Sequence, residues 1–140
     1  MEKYRFFHHT ADAKFQAYGR TLEEAFAHAA LAVASLMWDW KKVAKNVTLS
    51  IVVGGRDLEQ LLVSFLEEIV YLLEIQGFLL GGVENVILEK NKEGWTLRAV
   101  FAGDKNMEGY EIFGDVKAIT YNEIEVRDRV PFMVQVVADI

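Results

Sequence analysis

The sequence predicts an α+β fold in two layers, two amphipathic helices packed on a mainly antiparallel sheet of about six strands. Three observations carry that expectation. Apolar residues recur at helical spacing from Thr21 to Trp40, a broader apolar helix runs from Asp57 to Gln76, and most of the remaining chain alternates apolar and polar residues with the period of a strand. At 140 residues the chain has the size of one domain, so residues 1–140 are expected to share a single core.

The first strand signal runs from Tyr4 to Tyr18, where Phe15 and Ala17 alternate with Lys14 and Gln16. It contains Phe7-His8-His9-Thr10-Ala11-Asp12, and Asp is disfavoured within a strand. The segment therefore either bends at Asp12 or presents its carboxylate for use. Thr21-Leu22-Glu23-Glu24 then has the spacing of a capping box, with Thr21 as N-cap of the first helix. Leu22, Ala25, Phe26, Ala29, Ala30, Val33, Leu36, Met37 and Trp40 form its apolar stripe, which leaves His28 on the rim.

Asn46 to Val53 is rich in β-branched residues and reads as a strand closed by Gly54-Gly55. Asp57 caps the second helix with Gln60 three residues on, and Gly77 ends it. Leu58, Leu61, Leu62, Phe65, Leu66, Ile69, Val70, Leu72 and Leu73 cover more than one narrow face, so this helix should be packed on two sides. Val83–Lys90 and Trp95–Phe101 read as a hairpin about Asn91-Lys92-Glu93-Gly94. Gly103 to Gly109 is polar and bounded by glycine, the pattern of a mobile loop. Val116–Tyr121 with Ile124–Val126 and Phe132–Ala138 supply the last strands, and Asp139-Ile140 ends the chain.

The totals exclude several classes. There is no Cys, hence no disulfide, thiolate nucleophile or Cys-based zinc site, in keeping with a reducing cytoplasm. A net charge of −6 with no cluster of Lys and Arg argues against strong direct nucleic-acid binding. The opening Met1-Glu2-Lys3-Tyr4 is too polar for a signal peptide, and acids interrupt the apolar region Leu58–Leu80, so no membrane span is expected. Neither a P-loop nor a dinucleotide fingerprint is present.

The final strand is apolar enough to be central, yet it ends in Asp139 followed by a free carboxylate on Ile140. If the first and last strands are neighbours, Asp12, Asp139 and that terminal carboxylate converge. Crowded carboxylates need a counter-ion. Hard oxygen donors favour Ca²⁺ or Mg²⁺ over zinc, with Ca²⁺ ahead, and three protein groups leave coordination positions open. The bland alternative for Asp12 is a turn closed by backbone amides. Lys117 and Tyr121 are the next candidates, placed on one strand face where Lys117 could contact phosphate or form a plain salt bridge. His8 and His9 cannot both face one side of a strand, so a two-histidine metal site is not expected.

His9-Thr10-Ala11-Asp12, Tyr18-Gly19-Arg20-Thr21-Leu22-Glu23-Glu24-Ala25-Phe26, Asp57-Leu58-Glu59-Gln60-Leu61-Leu62, Phe65-Leu66-Glu67-Glu68, Val116-Lys117-Ala118-Ile119-Thr120-Tyr121 and Asp139-Ile140 occur in an order that resembles the archease family. The resemblance covers the whole chain. It departs at Asn122 and Tyr110, near which archeases often carry His, which touches any histidine role and leaves the acidic positions intact. The resemblance implies an accessory protein rather than an enzyme. Its partner would be the GTP-dependent RNA ligase that joins tRNA halves, activated in guanylylation and multiple turnover. It also implies a metal site at Asp12, Asp139 and Ile140, with Lys117, His9 and Tyr121 as residues for partner contact and activation. Two alternatives stand beside it: a chaperone-like modulator of a tRNA methyltransferase, and a small metal-dependent phosphoester hydrolase with His9 as general base.

Overall fold

Two side-chain caps set where the helices begin. Thr21 accepts from the Glu24 amide at 3.1 Å to open α1 (Leu22–Ser35), and Asp57 accepts from the Gln60 amide at 2.8 Å to open α2 (Leu58–Gln76). The return bonds of the capping box go one residue further out than expected: Glu24 accepts from the Arg20 amide at 3.1 Å and Gln60 from the Arg56 amide at 2.7 Å. Gly77, at φ 63°, closes α2 in the left-handed conformation that glycine tolerates best.

The first helix stops at Ser35 instead of Trp40. Ser35 Oγ donates to the Ala32 carbonyl at 2.6 Å, and the chain then turns to carry Trp38 into the core, where its Nε1 donates to the Leu80 carbonyl at 2.9 Å. Trp40 falls outside the helix in a short 3₁₀ turn, Trp40–Lys42.

The computed structural model describes all residues, Met1–Ile140, and adds seven strands: β1 (Tyr4–Phe7), β2 (Ala13–Gly19), β3 (Val47–Gly55), β4 (Leu79–Asn91), β5 (Gly94–Asp104), β6 (Ala118–Arg127) and β7 (Phe132–Asp139). The fold is α+β with antiparallel pairing throughout. In place of about six strands in one sheet there are seven in two, ordered β1-β2-β7-β6 and β3-β5-β4. Both helices touch both sheets: α1 packs on β2, β7 and β4, and α2 on β6, β3 and β5. The reason lies in α1. Every residue from Ala29 to Ala34 is buried, which a helix lying on a single sheet cannot achieve.

Two local expectations also change. The segment from Tyr4 to Tyr18 is not one strand but the hairpin β1–β2, with Phe6 opposite Phe15, and residues 8–12 form its loop. The polar segment 103–109 is folded around Asp104 rather than left open. That buried carboxylate accepts from the Tyr110 hydroxyl at 2.8 Å and from the Lys105 and Asn106 amides at 2.9 and 3.3 Å. The Tyr110 hydrogen bond, more than any other contact, holds Asp104 below the usual carboxylate range.

The centre of the core is an aromatic run across three elements. Phe26 of α1 lies 6.3 Å from Phe65 of α2, which lies 5.5 Å from Phe101 of β5. All three are fully buried. Phe65→Ala should therefore cost about 3–5 kcal/mol, read as a lower denaturant midpoint with an unchanged slope.

Candidate functional site

The site is built by the pairing of the two central strands of the larger sheet. β2 runs antiparallel to β7 in a register that begins at Ala13↔Ala138 and ends at Gly19↔Phe132. Asp12 lies one residue before the first of these pairs on β2 and Asp139 one residue after it on β7, so both positions fall at the same end of the strand pair. On the other side of β7, Asp139 pairs with Ala118, and the Lys117 amide donates to the Asp139 carbonyl at 2.7 Å. The chain end is thus anchored between two neighbours, and Ile140 follows directly as an exposed residue.

Neither Asp12 nor Asp139 enters an ion pair. The chain's pairs are Arg5–Glu2, His9–Glu123, Lys14–Glu123, Arg98–Glu89 and Arg127–Glu125. No group of three or more His, Cys, Asp or Glu side chains gathers anywhere in the molecule, so a cation here would need the terminal carboxylate as its third protein donor. The donor set fits a hard cation, being all oxygen, negative and without a basic partner. His9 Nδ1, in the loop that leads to Asp12, is buried and has no hydrogen-bond partner.

The loop that presents Asp12 is held from β6. His9 Nε2 lies 2.9 Å from Glu123 Oε2, and Lys14 Nζ donates to Glu123 Oε1 at 3.0 Å. Glu123 sits where β6 departs from regular pairing between Thr120 and Glu125, with φ 55°. Its carbonyl accepts from Gln135 Nε2 at 2.7 Å, and Thr120 Oγ1 donates to the Val137 carbonyl at 2.7 Å, so the irregular stretch is pinned to β7 at both ends. Ala11, just before Asp12, also has a left-handed φ of 65°. Such conformations cost a side-chain-bearing residue about 1–3 kcal/mol and persist where the surroundings enforce them. Glu123 also occupies the ammonium of Lys14, the basic residue nearest Asp12 along the strand, which leaves the Asp12 carboxylate to other partners.

The remaining candidates separate. Lys117 precedes β6 and forms no salt bridge, contrary to the plain ion pair considered for it; its main chain holds Asp139, and its side chain lines a groove beside α2. Tyr121 falls in the irregular stretch, exposed, so the regular alternation that would set it on one strand face with Lys117 is broken. His9 engages Glu123, which is not one of the three positions expected to hold a metal. Sequence reasoning missed Glu123 and Lys14. Their one signal was the polar pair Asn122-Glu123 interrupting an otherwise β-forming run.

The sequence matches the model of the archease protein family over residues 4–140. The chain belongs to the archease family. It is 40% identical over 144 residues to protein archease of Pyrococcus furiosus and 39% identical over 144 residues to that of Thermococcus kodakarensis, covering 100% of both chains in each case. The solution structure of protein 1598 from Methanobacterium thermoautotrophicum superimposes with a TM-score of 0.84 at 30% identity over 100% of both chains. This archease fold has no helix long and apolar enough to cross a membrane.

The Glu123 network carries a pH signature. The His9 hydrogen bond first, then the hydrogen bond and charge of Lys14, hold the Glu123 carboxyl below its ordinary value. A depressed carboxyl stabilises the fold above its unfolded-state pKa, and that share is lost as pH falls through the folded-state value. The stability lost between about pH 6 and about pH 3 should therefore be smaller in Glu123→Gln than in wild type, measured by urea unfolding at each pH.

Proposed function

We propose that the protein is an accessory factor of the GTP-dependent RNA ligase that joins tRNA halves, promoting its guanylylation and multiple turnover through the acidic end of the β2–β7 pair. The observation that supports this reading is the β2–β7 register, which brings the positions of Asp12, Asp139 and the chain end to one end of the strand pair, in a member of the archease family. Asp12, Asp139 and the Ile140 carboxylate would hold a divalent cation, Ca²⁺ ahead of Mg²⁺, because few and irregularly placed oxygens suit the flexible coordination of Ca²⁺ better than the strict octahedron of Mg²⁺. Bound there, the ion supplies positive charge with open coordination positions.

The protein's own residues do the rest. Glu123 fixes the His9–Asp12 loop, the Lys117 amide fixes Asp139, and the exposed Lys117 and Tyr121 side chains face outward where a partner can meet them. The net charge of −6 suits a basic protein partner rather than RNA itself. A hydrolase would need a base open to a substrate water, and His9 is a poor one: Nε2 is engaged by Glu123 and Nδ1 is buried.

Two measurements test this. Ligation turnover by the ligase from the same source should become multiple with wild type added and fall back to the unassisted level with folded Asp12→Ala or Asp139→Ala. No effect of wild type would overturn the reading, and phosphoester turnover by the isolated protein would favour the hydrolase. By titration calorimetry, Ca²⁺ should bind wild type and bind Asp12→Asn more weakly by about 10-fold or more.

A further inference from the structure

The helix α2 carries four acids, Glu59, Glu67, Glu68 and Glu74, and no Lys, Arg or His. None of the four is in an ion pair. Helical spacing aligns Glu67, Tyr71, Glu74 and Ile75 along one exposed stripe, with Tyr71 54% and Ile75 63% accessible. A stripe that combines uncompensated acids with bare apolar surface is unusual for a face that meets only water.

This stripe borders a cavity. Glu67, Val70, Tyr71 and Glu74 of α2 face Lys117, Ala118 and Ile119 across a groove of about 320 Å³. β6 is the outermost strand of its sheet, so its far edge pairs with no other strand. At its other side the same stretch of β6 is bound to the end of β7, through Ala118↔Asp139 and the Lys117 amide. Glu68, half-buried next to the stripe, has its carboxyl pushed up by burial and by the neighbouring charge of Glu67, with no cation to offset either.

We propose that the groove between α2 and the start of β6 is the docking surface for a basic, partly apolar segment of the ligase, separate from the carboxylates that act on it. This rests on the functional reading above. An Arg or Lys of such a segment would meet Glu67 and Glu74, and an apolar neighbour would cover Tyr71 and Ile75. Charge complementarity selects this occupant. A second copy of the chain would bring the same acids to the same place, and RNA would bring phosphates to them.

The test separates docking from activation. Ligase affinity is measured for wild type, for Glu67→Lys with Glu74→Lys, for Tyr71→Ala, and for Glu84→Lys with Glu93→Lys, a control with the same charge change on exposed positions of β4 and its turn. All are surface changes and should leave the fold intact. The groove variants should bind roughly 10-fold or more weakly, with the charge variant's deficit shrinking at high salt, while the control binds as wild type. Asp12→Ala should keep its affinity and lose turnover. Equal binding by wild type and both groove variants would overturn the docking proposal and leave the functional reading standing. Equal weakening of the control would overturn it too, since net charge alone would then be responsible. No binding or activation by wild type would overturn both readings together, and a wild-type dimer that the groove variants dissociate would reassign the groove to self-association.

Discussion

The pairing of β2 with β7 is the constraint on which the rest of the molecule depends. It joins the first and last parts of the chain, so its contacts repay a large loop-closure entropy and cannot form until the intervening elements allow it. Its register is tightly specified. On one face Phe15, Ala17, Val134, Val136 and Ala138 enter the core, and a slip of one residue would drive Gln135 and Lys14 into it. On the other face Gln16 Nε2 donates to Gln135 Oε1 at 2.9 Å within the directly opposed pair Gln16↔Gln135. The same slip would shift the position of Asp12 relative to Asp139, so core packing and the placement of these two residues depend on one register.

The interactions around Glu123 do a different task. They lie at the surface, where solvent screening leaves a pair such as Lys14–Glu123 with little net contribution to stability. Against them stand the left-handed backbones of Ala11 and Glu123. The backbone cost of two such residues is at least as large as what surface contacts return, so the network adds no net stability. What it adds is position: a loop that would otherwise be free between β1 and β2 is tied at His9 and Lys14 to a single side chain on β6.

The sequence was legible wherever one residue's local chemistry decides the outcome. Thr21, Asp57 and Gly77 marked helix ends by their capping chemistry, and the turn between Asn91 and Gly94 was plain from its composition. The pairing of β2 with β7 stood only as a condition, because strand order is set by tertiary packing and not by any one strand's composition. The division into two sheets was not legible, since α1 shows the same spacing whether one sheet or two cover it, and only the unbroken burial from Ala29 to Ala34 tells them apart. Asp104 looked like a loop residue because its partners, Tyr110 and Asn46, are set by tertiary structure. Glu123 was illegible for the same reason: its two partners lie on the far side of the chain's longest closure.

The charge distribution bears on what kind of partner the acidic end can meet. Asp12, Asp139, the terminal carboxylate and the acids of α2 share one sign, and the nearest bases are either occupied, as Lys14 is, or single, as Lys117 is. Exposed charges act over a Debye length of about 8 Å at physiological salt, so a phosphate backbone would feel this end as repulsive at close range. A cationic protein surface would feel this side as attractive, and the acids of α2, having no internal partners, lose less on docking than paired ones, because no ion pair has to be broken first. The lack of internal neutralisation, which adds nothing to the fold, leaves these carboxylates free to meet a positive charge from outside the chain.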